Sequence, residues 1–238
     1  MTYGDDLTPH QGLLLIQESD SAKNLLAYGL RALRQAAFHD TTRDPVMTML
    51  SIGTEKLLKV SLGLLHVAET GRWLSRATLR NEYRHNLVSM EPLLRETIRS
   101  RLALATHQPP VHGLLERVDS DPVWPTLVAA LNRYGQQGRF YYLDALAEDP
   151  QPEEPPAAFW DVVDRTAMDN DPALKGLFHA SISDFALADE FNAALNAAAA
   201  DSLRQWWELV AMAGKQGVFG QRGRGWGHDI LDVGRQII

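Results

Sequence analysis

Residues 79–87 combine side chains that together can act on a phosphodiester. Arg80 and Asn81 are adjacent, and His85 follows after three further residues, which gives the pattern Arg-Asn-x-x-x-His. Histidine titrates near neutral pH and can transfer a proton, and arginine offers a fixed fork of donors that matches phosphate oxygens. Asparagine can hold either of these groups by hydrogen bonds, and RNA is a phosphodiester that carries a 2′-hydroxyl beside each phosphate.

The spacing of this motif also constrains the backbone. Five residues of a regular α-helix advance about 500°, so Arg80 and His85 would lie about 140° apart and would not share a face. The motif therefore needs a helix end or a bend between its members. Pro92 favours a break nearby, between His85 and Met90.

Arginines surround the motif at a regular interval. Arg72, Arg76, Arg80 and Arg84 recur every four residues, which on a helix makes a slowly turning basic stripe. Such a stripe can track a phosphate backbone. The same pattern is equally typical of a solvated helix face with Glu82 beside it.

A second candidate site lies in the glycine-rich stretch 214–227. Glycines expose backbone N–H groups, Arg222 and Arg224 supply charge, Trp226 offers a stacking face and His228 follows directly. The alternative is a mobile loop that precedes a docking helix.

Composition excludes several other functions. The 238 residues contain no cysteine, which excludes disulfides, thiolate metal sites and a cysteine nucleophile. No apolar stretch approaches about 18 residues, and the first residues are acidic, so we expect neither a membrane span nor a signal peptide but a cytoplasmic protein. The net charge of −7 is uneven, because residues 120–213 carry 5 basic and 15 acidic side chains.

Helix signals dominate the chain and predict an all-α fold, a helical bundle with an additional C-terminal helical region. The strongest signal is a run of apolar residues and one glycine at alternating steps of four and three: Val46, Leu50, Gly53, Leu57, Val60, Leu64 and Val67. Caps and stop signals predict helices from Asp20 to about Phe38, from Asp44-Pro45 to Gly71, from a cap at Ser75, from Met90 (capped by Asn86 or Ser89) to about Leu104, from Asp121-Pro122 to near Gly135, over 157–168, from Ser183 or Asp184 to about Ala213, and over 229–238. Residues 138–147 fit either a strand or a short helix.

The domain prediction follows from one Pro-rich acidic segment. Residues 149–156 are predicted as a connector between a bundle at 1–148 and a helical region at 157–238 that packs on the same domain.

The motif resembles the RNxxxH signature of the HEPN superfamily, a set of all-α proteins with many metal-independent ribonucleases. Upstream, Thr54-Glu55-Lys56-Leu57-Leu58-Lys59 resembles the acidic and basic core helix of that family. Downstream, His85-Asn86-Leu87 followed by Leu93-Leu94 resembles the run that opens a later helix. The resemblance covers about residues 20–105.

This resemblance implies a metal-independent endoribonuclease without a cofactor, of the kind that acts as a toxin or defence effector. It further implies a homodimer in which two motifs face one cleft, and an antitoxin-like protein partner. Catalysis falls to Arg80, Asn81 and His85, and Glu55 would orient a basic residue from the neighbouring helix. Two alternatives stay open: a non-catalytic HEPN-like bundle that binds RNA, a nucleotide or a protein partner, and an unrelated helical interaction protein.

Overall fold

The computed structural model describes residues 7–35 and 39–237, without the side chains of 39–40 and 232–237. Within these residues the chain is helical and contains no strand, which confirms the all-α prediction. The α-helices are α1 (Pro9–Arg34), α2 (His39–Thr70), α3 (Leu87–Ser100), α4 (Gln108–Ser120), α5 (Val123–Gln136), α6 (Tyr141–Leu146), α7 (Pro156–Asn170), α8 (Pro172–Ser183), α9 (Ala188–Lys215) and α10 (Gly220–Ile237).

Helix α1 begins earlier than its predicted start at Asp20. Thr8 caps it, because its side chain accepts from the backbone of Gln11 at 3.2 Å while the Gln11 side chain accepts from the Thr8 backbone at 2.9 Å. This capping box, followed by Pro9, outweighs the internal Asp20. The helix ends at Arg34, and its predicted end at Phe38 lies outside the described residues.

Helix α2 confirms the strongest periodic signal, since every one of the seven predicted stripe residues is buried. Its predicted start at Asp44-Pro45 is wrong, because the helix begins at His39 and continues through Pro45. Asp44 does not act as the cap. Its carboxylate accepts a hydrogen bond from the Tyr134 hydroxyl at 3.0 Å, so a tertiary contact from α5 holds the residue inside the helix. Gly71 ends α2 in a left-handed conformation with φ of 73°, as predicted.

The later helices share one apolar core with the first two. Trp124 of α5 stacks on Trp206 of α9 with ring centroids 5.0 Å apart, and both rings are buried. The α5 helix begins after Asp121 as predicted, and the ambiguous residues 138–147 are helical. The Pro-rich segment before α7 is an irregular connection.

Most of the glycine-rich stretch is helix and only residues 216–219 form a turn, which corrects the prediction of a loop over 214–227. Helix α10 begins at Gly220, and the expected short helix from Asp229 is only its second half. A Cβ atom on Gly227 would meet the backbone nitrogen of Lys215 and lie 2.6 Å from the carbonyl oxygen of Ala211. Glycine is present there because the backbones of α9 and α10 approach each other too closely for a side chain.

Candidate functional site

The Arg-Asn-x-x-x-His motif begins in a distorted helix and ends in a turn. Ser75 accepts from the backbone N–H of Thr78 at 3.0 Å, which confirms it as a cap. Residues Thr78–Tyr83 form a π-helical segment that carries Arg80 and Asn81. Such segments are rare and occur frequently at functional sites. The helix end that the motif spacing required is therefore present, between Tyr83 and His85.

Arg84 forms the corner of this turn in a strained conformation. Its φ of 46° and ψ of −122° match the first central position of a type II′ turn, which strongly favours glycine. The turn is closed by a hydrogen bond of 2.9 Å from the Asn86 N–H to the Tyr83 carbonyl. A non-glycine residue in this region costs about 1–3 kcal/mol and persists only when its surroundings hold it.

His85 and Glu55 form the central pair of the site. The Nδ1 atom of His85 lies 3.1 and 3.0 Å from the two carboxylate oxygens of Glu55. Because an ionised carboxylate only accepts, Nδ1 carries the hydrogen, and Nε2 of the neutral ring is then the atom free to take a proton. The His85 side chain is 59% exposed whereas Glu55 is 16% exposed, so a sheltered carboxylate holds an accessible imidazole.

Lys59 connects this pair to the strained turn. Its ammonium group lies 2.7 Å from a Glu55 oxygen and donates at 2.5 Å to the carbonyl of Arg84. Glu55 and Lys59 are four residues apart and face the same side of α2. One side of α2 therefore bonds to the His85 ring through Glu55 and to the carbonyl of Arg84 through Lys59.

The chain after the motif is fixed at the start of α3. Asn86 is the cap and accepts from the backbone of Ser89 at 3.1 Å, which confirms one of the two predicted alternatives. Asn132 of α5 accepts from the Leu87 N–H at 2.9 Å. Three helices, α2, α3 and α5, therefore determine the position of His85.

The remaining motif residues point to solvent. The side chains of Arg80 and Asn81 are exposed and make no hydrogen bond or ion pair with another described residue. Arg72, Arg76 and Arg84 are likewise exposed, and the structure gives their guanidinium groups no ion pair within 7–35 and 39–237. The structure thus brings His85 to Glu55 but joins neither Arg80 nor Asn81 to His85.

A tyrosine borders the motif on its buried side. Tyr83 packs partly against the core, and burial raises the pKa of its phenol, with a further rise from the charge of Glu82. The hydroxyl therefore stays protonated at neutral pH.

Helix α10 places the residues of the second candidate site in different surroundings. Trp226 is only 6% exposed and donates to the Ser19 hydroxyl at 2.9 Å, so its ring belongs to the core and does not form an open stacking platform. Arg222 and Trp226 line a cavity of about 400 Å³ against α1. Arg224 instead packs over Gly217, and His228 is exposed outside that cavity.

The sequence analysis did not predict two residues of the site, Lys59 and Asn132. Lys59 carries a readable signal, since Glu55-x-x-x-Lys59 places two opposite charges one helical turn apart. Asn132 carries none, because a lone asparagine on α5 gives no indication that it meets the start of α3.

Across the described residues, no helix is long and apolar enough to cross a membrane, and no three His, Asp or Glu side chains are grouped as a metal ion requires. No protein-family model matches the chain, and neither does any curated protein or solved structure.

Proposed function

We propose that the chain is a metal-independent endoribonuclease of HEPN type that acts in the cytoplasm as a toxin or defence effector. The observation that carries this proposal is the pair of His85 and Glu55 at an exposed turn. A carboxylate that fixes one imidazole nitrogen and leaves the other open is the arrangement that prepares histidine for proton transfer.

The reaction that this pair supports is attack of an RNA 2′-oxygen on its own phosphate. The Nε2 atom of His85 takes the 2′-hydroxyl proton as the new oxygen–phosphorus bond forms. The bond from phosphorus to the 5′-oxygen breaks, that oxygen takes a proton from water, and the hydroxide so formed takes the proton back from Nε2 of His85. The products are a 2′,3′-cyclic phosphate and a 5′-hydroxyl end. Glu55 stabilises the protonated ring that forms during this step.

Arg80 and the basic stripe supply the binding part of the proposal. A guanidinium group that pairs with no other residue in the described part of the chain is available to phosphate oxygens, where it forms bidentate contacts. Arg80 would hold the scissile phosphate with Asn81 beside it, and Arg72, Arg76 and Arg84 would hold neighbouring phosphates. A homodimer would supply Arg80 and His85 to one cleft from two subunits, and an antitoxin-like partner would cover it.

The test is cleavage of a labelled mixed-sequence RNA in EDTA. Wild type should cut, and Arg80→Ala and His85→Ala should each cut about 10²–10⁴-fold more slowly. Glu55→Gln should cut about 10–100-fold more slowly, as removal of an orienting partner typically does. Glu18→Gln is the matched control, because the carboxylate of Glu18 on α1 pairs with Lys56 at 2.8 Å rather than with His85, and its loss should leave cleavage unchanged.

One observation favours a second candidate, a non-catalytic module that binds RNA through the same stripe. Arg80 and His85 do not meet within one chain, so chemistry needs a second subunit or movement on binding. Failure of a folded dimer to cut RNA, together with RNA binding that Arg76→Ala and Arg80→Ala weaken, would favour this module. Equal cutting by all variants would mean that the motif is not the site.

A further inference from the structure

A cavity of about 440 Å³ lies between α1, α2 and Trp73, and we call it the Trp73 pocket. Its apolar walls come from Trp73, Leu14, Leu15 and Val60. Because a cavity of about 150 Å³ holds a benzene molecule, the pocket has room for a purine or a pyrimidine ring.

Trp73 forms a flat aromatic wall of this pocket. A Cβ atom on Gly63 of α2 would meet three consecutive atoms of the six-membered ring of Trp73, two of them at 2.5 and 2.8 Å. Glycine at this position therefore lets the ring lie directly against the α2 backbone. The half-buried indole lines the pocket with its remaining surface, on which a planar ligand can stack.

Two glutamine side chains of α1 bring hydrogen-bonding groups to the pocket. The Gln11 carbonyl accepts from the Thr8 backbone at 2.9 Å, which leaves the Gln11 amide nitrogen as a donor. Gln17 is exposed and makes no hydrogen bond with another described residue, so its carbonyl and its amide nitrogen are both available. An amide presents a donor beside an acceptor, and the edge of each RNA base presents the same pair in reverse order.

The charge of the pocket favours a neutral ligand. Among the described residues that line it, Glu18 alone is charged, and its carboxylate pairs with Lys56 at 2.8 Å. We therefore assign Glu18 no contact with the ligand. Apolar walls with uncharged donors and acceptors fit the faces and the edge of a nucleobase, and they offer no cation to a phosphate.

The Trp73 pocket and the His85 site lie on neighbouring sides of α2. Val60 lines the pocket and Gly63 supports the Trp73 ring. Lys59, which bonds to the turn before His85, is one position before Val60 and so lies about 100° around the helix from it. An α-helix with its side chains is about 10–12 Å across, so the two sites are on the order of 10 Å apart. An RNA strand bound at His85 can therefore reach the pocket within a few nucleotides.

We propose that the Trp73 pocket binds one unpaired base of the RNA strand whose scissile phosphate lies at the motif. The base stacks on Trp73, and its edge bonds to the amide of Gln17 and to the amide nitrogen of Gln11. This inference rests on the proposed function, because that function places RNA at the motif. It restricts the substrate to single strands, since a base that is paired in a duplex cannot enter the pocket.

Equilibrium binding to the whole chain carrying His85→Ala tests the pocket without cleavage. Two strands are compared, a mixed-sequence single-stranded RNA of about ten nucleotides and a strand of the same length and backbone without bases. The His85→Ala protein should bind the RNA more tightly than the base-free strand. Addition of Trp73→Ala should lower the affinity for the RNA about 5–100-fold, the usual loss for one stacked base, and should leave the affinity for the base-free strand unchanged.

Two further variants separate base binding from an effect on the fold. Gln17→Ala changes an exposed side chain, so it should fold, and it should lower the affinity for the RNA about 2–10-fold through the loss of hydrogen bonds. Tyr28→Ala is the matched control, because Tyr28 is an aromatic residue of α1 that is 58% exposed and does not line the pocket. It should bind both strands like the His85→Ala protein.

Failure of the pocket and failure of the proposed function give different results. If the His85→Ala protein binds both strands equally, or if neither Trp73→Ala nor Gln17→Ala weakens RNA binding, the pocket is not a base site while RNA binding at the motif stands. Equal affinity for the single-stranded RNA and its duplex would also overturn the proposal. If neither strand binds, RNA binding at the motif is wrong and the inference fails with it.

Discussion

Two stretches of this chain combine arginine, histidine and small or polar residues: residues 79–87 around His85, and the glycine-rich stretch 214–227 followed by His228. One is an irregular, exposed segment and the other is mostly helix packed against α9. Around His85 the backbone leaves regular helix twice, in the π-helical segment and in the turn at Arg84, and the side chains of Arg80, Asn81 and His85 are exposed. In the glycine-rich stretch the backbone is regular helix from Gly220 onward, and Trp226 is buried.

Glycine and backbone strain therefore have different structural roles in this molecule. The C-terminal glycines permit two helices to touch, so they serve packing. At the motif, a conformation suited to glycine is occupied by Arg84 and is held by the hydrogen bond from Lys59. The strained backbone of Arg84, next to exposed His85 and its partner Glu55, indicates function more directly than a glycine-rich composition does.

The largest expected effect on stability is at Gly227 of α10, with Gly225 of the same helix as its control. Gly227→Ala should lower the free energy of unfolding by about 3 kcal/mol, because the new methyl group meets the backbone of α9. Gly225→Ala has open space around its Cβ position and should raise it by up to about 1 kcal/mol, since alanine is the better helix former. Denaturant unfolding measures both. Equal effects would contradict the packing role of Gly227.

A smaller effect concerns the strained turn. Arg84→Gly should raise the free energy of unfolding by about 1 kcal/mol, because the relief of strain exceeds the added entropy of the unfolded chain. Arg84→Ala keeps the positive φ and should change stability by less than about 0.5 kcal/mol. Denaturant unfolding of both variants compares them. If Arg84→Gly is no more stable than Arg84→Ala, the turn is not strained.

The smallest effect concerns the anchor of α3, the helix that follows the motif. Burial acts to raise the pKa of Asp119, but hydrogen bonds from Arg99 and Arg95 and their charges outweigh it, so the pKa is lowered. Asp119 therefore stabilises the fold above its unfolded pKa of about 3.9, and this contribution is lost as pH falls through the lower folded pKa.

Asp119→Asn should accordingly be less stable than wild type at neutral pH by less than about 1 kcal/mol, because the ion pairs are partly exposed. The difference should shrink as the pH drops below about 4. Thermal unfolding as a function of pH measures it, and a difference that is constant with pH would contradict the assignment.

Much of the fold could be predicted from the sequence because helix periodicity, caps and stop residues act over a few neighbouring residues. The apolar stripe of α2 and the stop at Gly71 depend on helix periodicity and on the conformational freedom of glycine. The start of α1 at Thr8 was also readable, since a threonine followed three residues later by glutamine is a capping box.

Other features depend on contacts that no local pattern encodes. Pro45 remains inside α2 while Tyr134 bonds to its neighbour Asp44. The glycines of α10 indicate a loop until the partner helix α9 is known. At the site, the residue types of Arg80, Asn81, Glu55 and His85 were readable, but the pairing of His85 with Glu55 was not a consequence of their spacing.

The most direct test of the contrast between the two stretches compares two exposed histidines, one from each. His85→Ala and His228→Ala should both fold, and cleavage of labelled RNA in EDTA should be compared at equal protein concentration. The account predicts that His85→Ala cuts about 10²–10⁴-fold more slowly than wild type, the usual range for a lost general acid or base, while His228→Ala cuts at the wild-type rate. Equal rates for the two variants, or loss of cleavage in His228→Ala alone, would contradict it.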